Sequence, residues 1–392
     1  MNNYVNANSL SFHIESLGCI ANQVDGKRVE DFLLLNGWAK ATSLERASLI
    51  ILMTCGFTKA SETFNLQQLQ LIQARKREDA KIIVGGCLPN INKTALTEIF
   101  DGDFFSPRTL HRLDRYVDAK ISINEVSPTL VSKANSNLTN IRISTGCMSH
   151  CSYCAIPFAN GKTRSRTIDS ILKDIRISSQ NSTKHIRLVS EDIGAYGLDN
   201  NISIIELLQA IVKSDEDILL YLDNFNPNWL IKYIDNLLPI LKSPKIAKSF
   251  YIPIQSGSDR ILKLMKREYT VSDTLIIFDI LRKEFSNVKV TTDFIVGFPT
   301  ESEEDFSASV ELVRNYSFDY IEVFTYEDRP RIAAAELEPK VSESTKEGRR
   351  MELLKVFMHT YLKSMNISNQ ATLESALKTI NQLPINTNLV IQ

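Results

Sequence analysis

The chain has 392 residues, room for two or three domains at ~150 residues each. It is 43% hydrophobic and 23% charged, which excludes disorder as its main state. Lys+Arg 45 against Asp+Glu 46 leaves a net charge of -1, so overall charge cannot hold it to nucleic acid and any such site must be a local patch. No run reaches the ~18 apolar residues of a membrane span. The opening MNNYVNANSL has neither the basic nor the apolar region of a secretory signal. The expectation is a cytoplasmic protein with reduced cysteines.

Residues 1–10 are polar. SFHIESLGC (11–19) reads as a strand ending in Cys19. Asp25 is the expected N-cap of a helix carrying Val29, Phe32 and Leu33 on one face and stopping at Gly37. ASLIILMTC (47–55) is a continuous apolar run, as for a strand buried on both faces. A polar helix is expected over 60–78, then a third strand, AKIIVGGC (80–87). This β-α-β-α-β order predicts a parallel sheet with helices on its faces. Residues 124–140, rich in Ser, Asn and Thr, read as an interdomain linker.

A second alternating series follows. Its strands are expected at 140–147, 184–192, 218–225, 249–258, 288–298 and 320–328. An amphipathic helix fits 168–178, and another opens at Ser302 with Asp305 in a capping-box pattern. Six β/α units suggest a partial barrel, with chemistry at the C-terminal strand ends. The fold class is α/β: an N-terminal parallel-sheet α/β domain over 10–123, a partial (β/α)6 barrel over 138–335, and a short helical C-terminal tail over 336–392.

The six cysteines form two sets of three. Cys147, Cys151 and Cys154 make a C-x3-C-x2-C loop where the first barrel strand ends. Three thiolates in one loop suit a 4Fe-4S cluster with one iron left for a small chelator, since electron-transfer clusters normally have four cysteines. A structural zinc site or buried thiols are the competing readings. Cys19, Cys55 and Cys87 each end a predicted parallel strand, about one βα unit apart. Such strands end on one edge, so these three also converge on a second cluster site. Separate core thiols are the alternative.

These residues resemble the radical S-adenosylmethionine methylthiotransferases, over about residues 10–335. The stretches carrying the likeness are SLGCIANQVDG (16–26), TCGF (54–57), VGGCLPN (84–90), GCMSHCSYCAIPFANGKTRSR (146–166), SEDIGAYGLD (190–199), IPIQSGSDRILKLMKREYT (252–270), TDFIVGFPTESEEDF (292–306) and FTYEDRP (324–330). The resemblance implies two 4Fe-4S clusters. One, on Cys147, Cys151 and Cys154, binds S-adenosylmethionine and generates a 5'-deoxyadenosyl radical that takes hydrogen from an unactivated C–H bond. The other, on Cys19, Cys55 and Cys87, carries the sulfur to be inserted, which a second S-adenosylmethionine methylates. An electron donor such as flavodoxin or ferredoxin is implied.

By position, the resemblance also assigns cosubstrate contacts. Tyr153 stands where relatives place an aromatic near the adenine, and Glu191 where they bind the methionine amino group. Gln255 and Ser256 are placed for the ribose, and Asp293 through Gly297 for the adenine. A half-buried aromatic at Tyr153 and a satisfied strand-end carboxylate at Asp293 are the structural alternatives.

Three subfamilies compete for the substrate: two act on adenosine beside the tRNA anticodon, bearing an isopentenyl or a threonylcarbamoyl group, and one on a ribosomal-protein aspartate. SEDIGAYG and QSGSDRILKLMKREYT look most like the threonylcarbamoyladenosine group, so the expected product is a 2-methylthio adenosine in tRNA. A ribosomal protein, a peptide or a small metabolite is the alternative. Residues 142–187 hold eight Lys/Arg and two Asp/Glu, including Lys162, Arg164 and Arg166, a patch fit for phosphates or simply a solvated face. Arg164, Arg166 and Arg329 are the candidate substrate contacts. Relatives usually have Arg-Gly where this chain has Asn160-Gly161, and Gly where Thr300 and Arg331 stand. They usually close with a small β-barrel TRAM domain, whereas residues 340–392 read as helix plus polar tail.

Overall fold

The computed structural model describes residues 10–132, 135, 137–181 and 183–364. It divides into two compact units. The first runs to Cys147 and adds Ala155–Thr183 and Val189–Glu191; the second holds Met148–Cys154, Lys184–Leu188 and the chain from Asp192.

In the first unit the chain runs β1 (Ser11–Ser16), α1 (Ile20–Leu35), β2 (Ala39–Lys40), β3 (Leu49–Thr54), α2 (Lys59–Arg75), β4 (Lys81–Gly86), α3 (Leu88–Ile91), α4 (Lys93–Thr97) and β5 (Asp103–Phe104). The strands form a parallel sheet in the order β2-β1-β3-β4-β5. The apolar run of β3 is buried on both faces, as its sequence requires. Ile51 and Met53 pack with Val29, Phe32 and Leu33 of α1. Ile50 and Leu52 pack on the other face with Leu69 and Ile72 of α2.

Two expectations need correction in this unit. Helix α1 starts at Ile20, and Asp25 is not its N-cap. Asp25 lies inside the helix, 2% exposed, with its carboxylate on Arg142 at 3.0 Å. A local capping rule misread a tertiary ion pair. The expected linker holds a hairpin after α5 (Leu113–Tyr116): β6 (Thr129–Val131) pairs antiparallel with β7 (Leu138–Arg142). Its Ser, Asn and Thr residues look like turn signals, but the ladder bonds come from the backbone and tolerate polar side chains. Beyond it lie β8 (Ser144–Thr145), α6 (Ile156–Asn160), β9 (Arg164–Ser165) and α7 (Ile168–Gln180). Thr167 caps α7 through the Ser170 amide, and Ile171 and Ile175 are buried.

The second unit runs β10 (His185–Val189), α8 (Ile204–Lys213), β11 (Leu219–Leu222), α9 (Pro227–Leu241), β12 (Ile246–Tyr251), α10 (Asp259–Leu264), α11 (Val271–Glu284), β13 (Lys289–Val296), α12 (Glu303–Asn315), β14 (Tyr320–Thr325) and α13 (Glu343–Ser364). Its strands pair in parallel in the order β14-β13-β12-β11-β10. This is the partial barrel; the first expected barrel strand is β7. Along β13 burial alternates: Val290, Thr292, Phe294 and Val296 are buried, and Asp293 between them is half-buried. Phe294 meets Phe318, which also meets Phe278 of α11, so the apolar phase faces the helices. Ser302 and Asp305 form the expected capping box of α12. The described part of the tail is α13, whose Arg349 pairs with Glu301 at 2.7 Å. The expected polar tail from residue 365 onward lies outside the described residues.

Thr300 and Arg331 both sit at a φ of 69°. These are two of the positions where the resemblance expects glycine. The backbone there keeps the left-handed shape that glycine adopts without strain. Thr300 is β-branched, so the conformation is costly, and Arg260 offsets part of the cost by donating to its carbonyl at 2.6 Å and its hydroxyl at 3.2 Å. Thr300→Gly is expected to stabilise the protein by about 0.5–1 kcal/mol in urea unfolding; a loss of stability would show that the hydroxyl outweighs the strain.

Candidate active site

Three parallel strand ends carry Cys19, Cys55 and Cys87. Thr54 of β3 is the register partner of Gly86 of β4, so Cys55 and Cys87 leave neighbouring strands at the same level. The Cys87 amide donates to the Thr54 carbonyl at 2.9 Å, and the Cys55 amide to Asn65 Oδ1 at 3.0 Å. β1 ends at Ser16, the partner of Met53, and a turn at Gly18 leads to Cys19, the N-cap of α1. Gly18 has a φ of +90°, and a Cβ there would lie 2.5 Å from Cys55 Cβ and 3.0 Å from its sulfur. Only glycine lets the first cysteine's turn close on the second cysteine.

Electrostatics report the same crowding. The Cys19 side chain is exposed but ringed by protein, and its thiol is pushed up to about 11, first by desolvation and then by the Cys55 thiol. Burial raises the Cys87 thiol, with Cys19 and Cys55 adding to the effect. Three mutually repelling thiols call for a cation to balance them when deprotonated. Among the described residues, no group of three His, Cys, Asp or Glu is drawn tightly enough for one metal ion. A cubane differs, because each thiolate takes its own iron. Three cysteine thiols are the donor type that an iron–sulfur cluster takes.

The same unit contains a buried charged network. Arg142, 3% exposed, bonds Asp25 at 3.0 Å and Glu191 at 2.5 Å. Glu191 also accepts from the Gly146 amide at 3.0 Å and from Asn160 Nδ2 at 2.7 Å. Asn160 Oδ1 faces the Cys87 sulfur at 3.8 Å. Glu191 is thus bonded within two residues of Cys147, whose amide donates to Gly161 at 3.0 Å. Gly146, at a φ of +94°, has no room for a Cβ, which would fall 2.3 Å from the Lys162 carbonyl.

In the second unit, Cys151, Tyr153 and Cys154 lie on a loop held to the end of α10. Ser152 donates from its amide to Met265 at 3.1 Å and from its hydroxyl to Leu264 at 2.7 Å. Arg267 Nη1 donates to the Cys151 sulfur at 3.3 Å. Burial raises the Tyr153 phenol, although Arg267 acts the other way. Gln255, at a φ of +76°, forms a bridge to Phe294, and its amide donates to the Asp293 carbonyl at 2.8 Å. Ser256 is buried and its hydroxyl accepts from the Ser258 amide at 3.2 Å. Asp293 accepts from the Tyr251 hydroxyl, and burial pushes its carboxyl up to about 7. Burial likewise raises Asp192, beside Trp229 Nε1 at 2.8 Å, to about 6.

The candidate substrate residues separate. Arg164 and Lys162 are exposed. Arg166 is committed to Asp174 at 2.7 Å and to the Arg142 carbonyl at 2.9 Å. Arg329 is 6% exposed, so it does not present a surface charge. Sequence reading missed Arg142, Arg267 and Tyr251. A charge inside the apolar strand NIRIS was the one available signal for Arg142, and Arg267 lies within a stretch already quoted for its likeness.

Gly18→Ala should lose one cluster's worth of iron after anaerobic reconstitution and keep the radical-loop cluster; full iron content would show that the turn tolerates a Cβ. Asp293 holds a proton in the native state at pH values where the unfolded chain has released it. Stability should therefore fall as pH rises from about 4 toward about 7. Urea unfolding across that span should show a shallower fall in Asp293→Asn, and an identical slope would contradict the assignment.

Known proteins resemble this chain along most of its length. The Radical SAM superfamily model matches residues 141–313, and that of Uncharacterized protein family UPF0004 matches residues 11–105. The chain is 33% identical to a probable threonylcarbamoyladenosine tRNA methylthiotransferase of Archaeoglobus fulgidus, over 83% of this chain and 78% of that one. It is 31% identical to a tRNA-2-methylthio-N(6)-dimethylallyladenosine synthase of Natranaerobius thermophilus, over 90% and 82%. It is 30% identical to the ribosomal protein uS12 methylthiotransferase RimO of Carboxydothermus hydrogenoformans, over 88% and 82%. Among solved structures, the radical S-adenosylmethionine methyltransferase TsrM from Kitasatospora setae shares the fold, with a TM-score of 0.60 at 12% identity over 83% of this chain and 77% of that one. The chain belongs to the radical S-adenosylmethionine methylthiotransferases, enzymes of tRNA or ribosomal-protein type that work with S-adenosylmethionine and two 4Fe-4S clusters.

Proposed function

We propose that this enzyme inserts a methylthio group at carbon 2 of a hypermodified adenosine of tRNA, of the threonylcarbamoyl type, in the cytoplasm. The convergence of Cys19, Cys55 and Cys87 at one sheet edge, with Gly18 packed on Cys55, carries the reading of sulfur insertion. SEDIGAYG and QSGSDRILKLMKREYT, together with the name of the Archaeoglobus relative, support the nucleoside. When bound, the two clusters and S-adenosylmethionine supply hydrogen abstraction from a C–H bond and the sulfur that replaces it.

The division of labour we assign follows the cysteines. Residues 10–123 would hold the sulfur-carrying cluster through Cys19, Cys55 and Cys87. Residues 138–335 would hold the other through Cys147, Cys151 and Cys154, and 336–392 would be a C-terminal segment whose described helix, α13, pairs with Glu301 through Arg349. Glu191 would accept the cosubstrate's ammonium, exchanging one of its present donors for it. Tyr153, Gln255, Ser256 and Asp293 would line the adenosine. Asp293, protonated below about pH 7, would donate a hydrogen bond as well as accept one. Arg164 with Lys162 would meet tRNA phosphates, and an electron donor such as flavodoxin or ferredoxin would reduce the radical cluster.

Nucleoside mass spectrometry of tRNA from a deletion strain tests the substrate. Loss of 2-methylthio-threonylcarbamoyladenosine, restored by the wild-type gene and not by Cys55→Ala, is the expected result. Loss of the isopentenyl counterpart instead would reassign the nucleoside. An unchanged profile would move the substrate to a ribosomal protein, a peptide or a metabolite.

A further inference from the structure

Arg267 is the end of a built arrangement that the reaction as described leaves without a role. α10 finishes at Leu264, the chain turns through Lys266 at a φ of +57°, and the Arg267 amide caps back on the Leu262 carbonyl at 2.9 Å. The same turn offers the Leu264 and Met265 carbonyls to Ser152, the neighbour of Cys151. Guanidinium and cysteine loop are therefore held on one support. The guanidinium fork is fixed on every side. Nε donates to the Tyr269 hydroxyl at 2.7 Å, and Nη2 to Asn226 Oδ1 at 3.3 Å and to the Pro253 carbonyl at 3.1 Å. The Tyr269 hydroxyl donates on to the Ile254 carbonyl at 3.0 Å. The tyrosine ring lies 5.0 Å from the guanidinium carbon. All three of these acceptors are uncharged. The remaining hydrogen bond, from Nη1, goes to the Cys151 sulfur at 3.3 Å.

We propose that Arg267 is a positioning residue that sets the reduction potential of the radical-loop cluster, by holding a full positive charge and a hydrogen bond on the sulfur of Cys151. The inference rests on the reading of Cys147, Cys151 and Cys154 as cluster ligands. Reduction adds one electron, and so one negative charge, to the cluster. A fixed cation at its ligand stabilises the reduced form more than the oxidised one and raises the potential. The neutral acceptors leave that charge uncancelled by direct ion pairing. Arginine suits the role better than lysine in geometry, because one planar fork serves the sulfur and the scaffold together.

The test is a redox titration, followed by electron paramagnetic resonance, of full-length protein reconstituted with iron and sulfide. Cys19, Cys55 and Cys87 are changed to Ala so that a single cluster reports. At a fixed potential, Arg267→Gln should lower the ratio of reduced to oxidised cluster about tenfold, which is about 59 mV for a one-electron couple. Arg267→Lys, which keeps the cation, should stay closer to the parent. An unchanged ratio in a fully loaded Arg267→Gln protein overturns the proposal. Where that variant holds no iron, Arg267→Lys decides: a loaded cluster near the parent potential supports the proposal, and a cluster lost there too makes Arg267 a structural clasp and overturns it. A parent protein that assembles no 4Fe-4S cluster would fail the ligand reading itself, a result separate from any of the Arg267 outcomes.

Discussion

Every strand of a parallel sheet stops on the same edge, and the gathering of Cys19, Cys55 and Cys87 depends on that constraint. Three cysteines scattered over residues 19–87 meet only because α1 and α2 return the chain to the start of the next strand. The pairing of Thr54 with Gly86 then delivers Cys55 and Cys87 side by side. Cys19 follows its strand by a longer turn, and the left-handed backbone at Gly18 brings that turn against Cys55. The apolar, doubly buried β3 fixes the register, since a slip of one residue would exchange its two packed faces.

A second constraint is electrostatic. Arg142, Asp25 and Glu191 have lost most of their water, which costs several kcal/mol per ion before the pairings offset it. Both carboxylates are on the one guanidinium, and Glu191 takes two further donors. Burial works against the charge of Arg142, while Asp25 and Glu191 hold it cationic. Asp25 lies six residues after Cys19, the N-cap position of α1, so one helix carries both a cysteine of the triad and a carboxylate partner of Arg142. Asn160 extends the network to Cys87, at a position where the resemblance expects arginine. A neutral amide there asks for no further buried counter-charge.

The barrel unit works by alternation. One phase of each strand fills the helix side with Phe294, Val296 and their neighbours. The other phase carries Arg187, Asp223, Tyr251, Asp293 and Glu322, half-buried polar groups that cannot belong to a dry core. Arg187 and Asp223 pair at 2.7 Å, and Tyr251 donates to Asp293. Thr300 and Arg331 show the fold overruling local preference, because both retain a backbone shape suited to glycine.

Much of this was legible in the chain itself. Apolar runs of six residues declare buried strands, the Ser302 and Asp305 pair declares a helix start, and cysteines at strand ends declare a shared edge, because these are short-range patterns with a fixed physical period. The hairpin within 124–140, the burial of Asp25 and the partners of Arg166 and Arg267 were not legible. Each depends on a partner that lies elsewhere in the sequence, and only packing supplies that neighbour. Sequence determined the two sulfur triads and the parallel order that gathers one of them. Tertiary structure decided which charges are consumed by the scaffold and which remain for chemistry, since a charge finds its partner across space and not along the chain.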